Sequence, residues 1–440
     1  MSIPLTQFLI DTKQQFLADI RANPPKGDQW TIVIGNGAGD LDSVASSIAY
    51  AYYASTFHKL RAVPVMQINR ADLGLRAENL FALSLAGIAD PDSQLVFFDD
   101  VNPPTNTNAI PFPSNNFVLV DHNALDERFS VLNPSAVVTA IIDHHADEKQ
   151  FLGANPRIVA PAGSCASHVA HLFPSKEGRR VGMPPELATL LLCAMLIDTG
   201  GLKPKGKALD VDHAAAKALL PVSSLAGEVP DAGLQSLAQI TEKEGKEKGI
   251  HKLDALSSLT ATLDKKKGDV SSFNAYDLLR RDYKGYIFTV PLPSRSEGMK
   301  INVGLSTVPL GLKAQWASDN QLLKASIEWM TNRNLSILGI LTTFNGQKKG
   351  KHKRETAWIV RVMGDNSSNG LDLEELPKRL FDGLEANQEL DLVLFKKFKI
   401  DVGGEKGIVA RAYKQRNVKA TRKAIGPALQ RILEGTKDNE

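Results

Sequence analysis

Short apolar runs alternate with helical patterns over roughly the first 200 residues. Apolar side chains recur at helical spacing in the first twenty residues and at 185–197. The runs between them are rich in β-branched residues, as strands are. The predicted strands are 31–35, 62–68, 94–100, 117–121, 137–143 and 157–160. This alternation predicts an α/β domain built on a mostly parallel sheet.

A second pattern starts near residue 270, after a polar stretch at 214–264 that we interpret as helices with a linker. Helical spacing recurs at 275–281, 319–333, 371–384 and beyond 420, and predicted strands lie at 286–291, 301–306, 336–344, 356–363, 392–395 and 407–413. We therefore expect an α/β domain at 1–225, a helical linker at 226–269 and a smaller α+β domain at 270–440.

Composition limits the class of protein. The chain has 440 residues, which suits two domains, and its two cysteines, Cys165 and Cys193, are too few for a disulfide framework or a zinc site. The first twenty residues carry acids and lack a long apolar core, and no segment is apolar enough to span a membrane. We expect a soluble, cytoplasmic monomer.

Acidic and histidine side chains follow several predicted strands, at the edge where parallel sheets bind ligands. Asp40 and Asp42 follow the first strand, although either could simply cap a turn or a helix. Asp121 ends another strand, and Asp143-His144-His145 ends the next. Three titratable groups at the end of a buried strand are costly to desolvate, so a functional role is favoured there.

Asp198 adds a fourth cluster, because an acid at the end of an apolar helix opposes the helix dipole. Four such clusters in one domain predict a divalent-metal site, and oxygen-rich ligands with one or two histidines favour Mg²⁺ or Mn²⁺. Two cations that share a carboxylate can activate a water and hold the attacking and leaving oxygens at phosphorus. The clusters therefore indicate phosphoryl hydrolysis.

Basic residues are concentrated in the later part of the chain, although the net charge is only +3. The runs are 203–207, 265–267 and 348–354. Each run alone is typical of a solvated loop, but several runs near one site would concentrate a polyanion. Since aromatic residues are not interleaved with the lysines, nucleic-acid binding is disfavoured.

The triplet Asp143-His144-His145 is the signature of the DHH phosphoesterases, and the chain resembles that superfamily. The spacing of the four clusters resembles the branch that contains family II inorganic pyrophosphatases, prune proteins and eukaryotic exopolyphosphatases. The second half resembles the DHHA2 domain of that branch through DLLRRDYK at 277–284, VGLS at 303–306 and VKATRK at 418–423. The resemblance covers nearly the whole chain and implies an active site in the cleft between the domains.

The resemblance also implies a role for each matching residue. The ligands of one cation would be Asp42, Asp121, His144 and Asp198, and those of the other would be Asp40 and Asp121, which bridges. His145 would contact phosphate and serve as general acid, and Asp143 would orient the histidines. Arg422 and Lys423 would bind the phosphate chain. Weaker candidates for phosphate binding are Lys203, Lys205, Lys207, Lys284 and Arg295.

Family II pyrophosphatases have a metal-binding histidine at the position of Asn36, whereas exopolyphosphatases and prune proteins have an asparagine there. Its neutral oxygen makes a weak ligand, so one site should lean from Mn²⁺ toward Mg²⁺. We therefore expect a two-metal exopolyphosphatase acting on inorganic polyphosphate. The alternatives are a prune-like enzyme for short polyphosphates, pyrophosphate or nucleotide phosphates, and a degenerate scaffold that binds polyphosphate.

Asp99 and Asp100 end another predicted strand, where a structural role is favoured over metal ligation.

Overall fold

The computed structural model describes residues 3–102, 111–203, 206–228, 253–292, 295–318, 320–346, 350–361, 375–405 and 407–435. The chain divides into two compact units, Met1–Asp269 and Val270–Glu440. The predicted linker at 226–269 stays a prediction, because 229–252 lies outside the described residues.

In the part of the first unit that the structure describes, the sheet has six strands, all parallel, in the order β3-β2-β1-β4-β5-β6. The strands are β1 Thr31–Ile34, β2 Ala62–Met66, β3 Val96–Phe97, β4 Asn116–Val120, β5 Val137–Asp143 and β6 Arg157–Val159. This confirms the predicted α/β domain. The order reverses between β1 and β4, and open α/β sheets bind ligands beyond the carboxyl ends of the strands at such a point.

Helices cover this sheet, and a short hairpin of β7 Ser175–Lys176 and β8 Arg179–Arg180 follows it. The helices are α1 Leu5–Ile20, α2 Leu41–Phe57, α3 Ala77–Leu85, α4 Pro91–Gln94, α5 Phe98–Val101, α6 Glu127–Ser130, α7 Cys165–Leu172, α8 Pro185–Thr199, α9 Asp210–Leu219 and α10 Asp254–Gly268. Alternate strand residues enter two separate cores, Val33 on one face and Ile32 with Ile34 on the other. Burial on both faces explains why the strands read as continuous apolar runs.

The predicted strand at 94–100 is wrong beyond Phe97, where the chain turns into α5. The cause is local, because the Asp100 carboxylate accepts a hydrogen bond from the backbone N–H of Phe97 at 2.9 Å. Asp100 also pairs with Arg70 at 2.6 Å, and Asp99 accepts the backbone N–H of Arg70 at 3.2 Å. Both acids therefore hold the segment after β2 in place.

The described residues of the second unit form a seven-stranded mixed sheet, in which β10 and β11 are parallel and the other pairs are antiparallel. Its strands are β9 Tyr283–Leu292, β10 Arg295–Val308, β11 Ile337–Thr342, β12 Phe344–Asn345, β13 His352–Arg361, β14 Leu392–Leu394 and β15 Ile408–Gln415. Its helices are α11 Ala275–Arg281, α12 Gln321–Asn332, α13 Glu375–Ala386 and α14 Arg422–Glu434. This confirms the predicted α+β domain.

Among the described residues of the second unit, two helices cover each face of the sheet. Side chains of α11 and α12 pack in one core with Leu338 and Ile340 of β11, and side chains of α13 and α14 pack in the other core with Ile337 and Leu341. Among the residues that the structure describes, no helix combines the length and apolar character needed to cross a bilayer.

Candidate active site

The loop that joins β1 to α2 is held through its backbone carbonyls. Gln67 donates to the carbonyl of Gly35 at 2.5 Å, Arg76 donates to that of Ala38 at 2.5 Å, and Asn79 donates to that of Gly39 at 2.9 Å. The loop ends at Asp40, the N-cap residue of α2. Sequence reasoning missed these three donors, because nothing in the local pattern shows which carbonyl a distant side chain will reach.

Gly39 allows this loop to turn, and its replacement gives a first prediction. Its φ is +57°, and an added Cβ would lie 2.3 Å from Cγ2 of Ile68. We expect Gly39→Ala to lower the free energy of unfolding by about 1–3 kcal/mol, measured by urea titration. Gly74→Ala is the control, because a Cβ at Gly74 would meet nothing within 4 Å. Equal urea midpoints for the two variants would contradict the prediction.

Asp121 lies at the carboxyl end of β4, beside the strand-order reversal. Its φ is +61°, a left-handed conformation that is uncommon outside glycine and that clusters at functional sites. The side chain is buried, and its Oδ2 accepts hydrogen bonds from Ser43 Oγ and Asn36 Nδ2, both at 2.6 Å. Its Oδ1 lies 3.2 Å from His144 Nε2 and 3.6 Å from His145 Nδ1.

Asn36 contacts this carboxylate through its amide nitrogen. Its Oδ1 accepts the backbone N–H of Ala38 at 2.9 Å, so the amide has a donor facing Asp121 and an acceptor facing a backbone N–H. Both contacts require the same orientation of the amide. The weak metal-ligand role of Asn36 stays a prediction, and in the structure Asn36 is a hydrogen-bond donor to Asp121.

Asp42 lies in the first turn of α2 and faces the N-terminus of α7. Its oxygens accept hydrogen bonds from Ser164 Oγ at 2.7 Å, Cys165 N at 2.7 Å and Ala166 N at 2.8 Å. The positive end of the α7 dipole therefore stabilises the buried charge of Asp42. Its Oδ2 also lies 3.8 Å from His144 Nε2, which places Asp42 beside Asp121.

The Asp143-His144-His145 segment is organised by its aspartate, which is fully buried. Asp143 Oδ1 accepts hydrogen bonds from His144 N at 2.8 Å, His145 N at 3.2 Å and His145 Nδ1 at 2.7 Å, and Oδ2 accepts one from Asn123 Nδ2 at 2.5 Å. Burial would raise the pKa of Asp143, but the bonds from His145 and Asn123 outweigh it and lower that pKa to about 2. Asp143 therefore stays ionised and orients both histidines.

His144 presents Nε2 to the carboxylates, because its Nδ1 donates to the carbonyl of Ala162 at 3.0 Å. Burial opposes its charged form, but Asp121 and Asp42 raise the pKa of His144 to about 10. Burial raises the pKa of Asp121 well above its ordinary value, and the charges of Asp40 and Asp42 raise it further. These shifts show a cluster of buried acids that attracts positive charge.

Asp198 lies in the last turn of α8, before the left-handed Gly200. Burial raises the pKa of Asp198 well above its ordinary value, and the neighbouring charge of Asp42 adds to this. A cation would relieve this crowding of like charges. Ligand atoms of Asp121, His144 and His145 all lie within 4.8 Å of one another, and oxygen and imidazole donors suit divalent metals. The residues of the first unit therefore fit a divalent cation.

The predicted phosphate-binding residues are distributed over both units. In the first unit Lys203 and Lys207 are exposed, and Lys205 lies outside the described residues. In the second unit Lys284 Nζ lies 5.4 Å from the centroid of the Tyr286 ring, Arg422 pairs with Asp282, and Lys423 is exposed. The side chain of Arg295 also lies outside the described residues.

Comparison with known proteins decides the family. The model of the DHH family N-terminal domain matches residues 30–195, and that of the DHHA2 domain matches residues 261–432. A protein of Schizosaccharomyces pombe named "Putative exopolyphosphatase" is 32% identical over 336 residues, which cover 72% of this chain and 74% of that protein. The chain belongs to the DHH family and carries a DHHA2 domain. It is a metal-dependent hydrolase, as DHH phosphoesterases are.

More distant relatives agree with this family. "Exopolyphosphatase PRUNE1" of Rattus norvegicus is 28% identical over 274 residues, and that of Homo sapiens is 27% identical over 273. Each match covers 62% of this chain and 52% of the relative, so the chain spans about half the length of these proteins. The crystal structure of a "putative family II inorganic pyrophosphatase" of Methanococcus jannaschii shares the fold. Its TM-score is 0.50 at 20% identity, over 92% of this chain and 99% of that chain.

Proposed function

We propose that the chain is an exopolyphosphatase that hydrolyses the terminal anhydride bond of inorganic polyphosphate with two divalent cations, Mg²⁺ or Mn²⁺. The observation that carries the proposal is Asp121, a buried carboxylate in a left-handed conformation that faces His144 and His145 at the strand-order reversal. The names of the relatives from Schizosaccharomyces pombe, rat and human support the choice of substrate.

The acids of the first unit are assigned to the cations. Asp42, Asp121, His144 and Asp198 would hold one cation, and Asp40 with Asp121 would hold the other, with Asn36 as a weak additional ligand. When bound, the cations supply Lewis acidity that activates a water and neutralises charge on the phosphates. Asp42 is oriented for this by the N-terminus of α7, and Asp121 is oriented by Ser43 and Asn36.

His145 is assigned to proton transfer. Its Nδ1 is held by the Asp143 carboxylate at 2.7 Å, which directs Nε2 away from that carboxylate. The side chain is 31% exposed, so a substrate can reach it. His145 then contacts a phosphate oxygen and donates a proton to the leaving phosphate, while Asp143 stabilises the charged imidazole.

Arg422 and Lys423 are assigned to the phosphate chain. They occupy the first turn of α14, where cations are disfavoured by the helix dipole and anions are favoured. An anionic substrate bound at this helix N-terminus would offset the unfavourable placement of two basic residues there. Lys284, on the sheet face that α14 covers, is assigned to the same task. Lys203, Lys205, Lys207 and Arg295 remain weaker candidates.

Arg422→Ala is expected to raise KM for tripolyphosphate by at least about tenfold, because hydrogen bonds to charged groups contribute about 1.5–3 kcal/mol. Steady-state phosphate release measures it. Arg431→Ala is the matched control, because Arg431 belongs to the same helix and lies 3.7 Å from Glu389. Similar KM values for the two variants would remove Arg422 from the substrate site.

The function itself is tested by phosphate release from polyphosphates of graded length, in Mg²⁺ and in Mn²⁺. Pyrophosphate and a nucleotide 3′-phosphate serve as controls. Turnover of long chains would support the proposal, and turnover restricted to tri- and tetraphosphate would favour the prune-like alternative. Activity confined to pyrophosphate would contradict both. Binding of polyphosphate without phosphate release would favour the scaffold.

A further inference from the structure

Asp282 connects two of the DHHA2 motifs, although the two residues involved are 140 positions apart. Its Oδ1 accepts a hydrogen bond from Arg422 NH1 at 2.9 Å, and its backbone carbonyl lies 3.3 Å from the same nitrogen. The Arg422 side chain is 23% exposed and that of Asp282 is 28% exposed. The contact is therefore an ion pair with two acceptors on one nitrogen, partly shielded from water.

Asp282 is itself held in a rigid frame. It is the residue between α11 and β9, and its carbonyl also accepts the backbone N–H of Thr307 at 2.8 Å. The α11 residues Leu278 and Leu279 are fully buried in the core below. The backbone of Asp282 is therefore held by secondary structure on both sides.

The helix that carries Arg422 is fixed against β9. A Cβ on Gly426, one turn after Arg422, would lie 3.2 Å from the hydroxyl of Tyr286, so the helix approaches the strand closely. Tyr286 also lies under the ammonium group of Lys284, at 5.4 Å from the ring centroid. Lys284 therefore lies over the same aromatic ring that α14 approaches at Gly426.

We infer that Asp282 is the positioning residue of the phosphate-binding arginine. This inference rests on the proposed function, in which Arg422 binds substrate. A guanidinium group is planar, so fixing NH1 against two acceptors fixes the plane in which its other N–H groups lie. Asp282 thus prepares Arg422 for two phosphate oxygens before the substrate binds.

The test compares full-length variants on two quantities. The first is KM and kcat for tripolyphosphate, and the second is the Kd of imidodiphosphate, a non-hydrolysable analogue, from calorimetry with Mg²⁺. Asp282→Ala is expected to raise KM and Kd by about tenfold while kcat changes by less than about threefold. Asp282→Asn keeps an acceptor for Arg422 and is expected to recover most of the loss.

A double-mutant cycle gives the sharpest outcome. Asp282→Ala combined with Arg422→Ala is expected to bind no more weakly than Arg422→Ala alone, because a positioning residue has no effect without the residue it positions. Glu389→Ala, which removes the acid facing Arg431 of the same helix, is the matched control and is expected to leave KM and Kd unchanged. Far-ultraviolet circular dichroism verifies that each variant is folded.

Four results would overturn the inference. Tighter binding by Asp282→Ala would mean that the carboxylate competes with phosphate for Arg422. Additive losses in the double variant would mean that the two residues act separately. A normal Kd for Asp282→Ala, beside a weakened Arg422→Ala, would overturn the positioning role alone. An unchanged Kd for Arg422→Ala would instead overturn the assigned role of Arg422 in binding and the inference with it.

Discussion

Asp121→Asn is expected to lower kcat for phosphate release by at least about 1,000-fold, with the protein still folded. Asp121 is the one carboxylate assigned to both cations, so the loss of its charge weakens both sites at once. Asparagine suits the test, because it tolerates the left-handed φ of +61° and keeps an acceptor for Ser43 Oγ at 2.6 Å. The substitution therefore removes charge and leaves the backbone conformation accessible.

Asp100→Asn is the matched control for this prediction. Asp100 also follows a strand of the same parallel sheet, but its carboxylate pairs with Arg70 at 2.6 Å and has no assigned catalytic role. We expect its kcat to remain within about threefold of the parent, since a partly exposed ion pair contributes little.

Metal binding provides a second measurement on the same two proteins. Equilibrium dialysis with Mn²⁺ is expected to show weakened binding in Asp121→Asn and unchanged binding in Asp100→Asn. If Asp121→Asn kept a tenth or more of the parent kcat, the bridging role of Asp121 would be wrong.

The sequence predicts the elements well where packing into a hydrophobic core determines the pattern. The apolar run at 137–143 is β5, Val137–Asp143, and the helical spacing at 275–281 is α11, Ala275–Arg281. It fails at 94–100, where the Asp100 carboxylate accepts the backbone N–H of Phe97 and the chain turns into α5. Apolar periodicity does not report such local competition for backbone N–H groups.

The residue types of the candidate site were predictable from the sequence. The backbone conformation and the side-chain contacts that orient those residues were less predictable. Strand ends placed Asp121 and the Asp143-His144-His145 segment at one sheet edge, because parallel strands share their carboxyl ends. The left-handed φ of Asp121 and the amide contact of Asn36 have no sequence signal. The same holds for the ion pair between Asp282 and Arg422, which depends on how α14 packs against β9.

Asp143→Ala is expected to lower kcat by at least about 100-fold. The fully buried carboxylate accepts hydrogen bonds from His144 N, His145 N and His145 Nδ1, so its removal leaves both histidines without their common acceptor. Buried donors that lose a partner cost about 1–3 kcal/mol, so a lower free energy of unfolding is also expected. Kinetics and urea titration of the same preparation measure the two effects.

Exchanging the residue types at positions 143 and 123 separates two effects of Asp143, namely the hydrogen bonds that orient the histidines and its negative charge. Asp143→Asn alone places two amide donors face to face at the contact that is now 2.5 Å, whereas adding Asn123→Asp restores a donor and an acceptor there. Asn123 Nδ2 also donates to the carbonyl of Ala146 at 3.0 Å, which a carboxylate cannot do, so the exchanged pair should recover only part of the stability lost in Asp143→Asn. Its kcat should stay at least about tenfold below the parent, because the negative charge has left the acceptor of His145. Full recovery of kcat in the exchanged pair would show that Asp143 acts through hydrogen bonding alone. A folded Asp143→Ala variant with the parent kcat would exclude any role for Asp143 in catalysis.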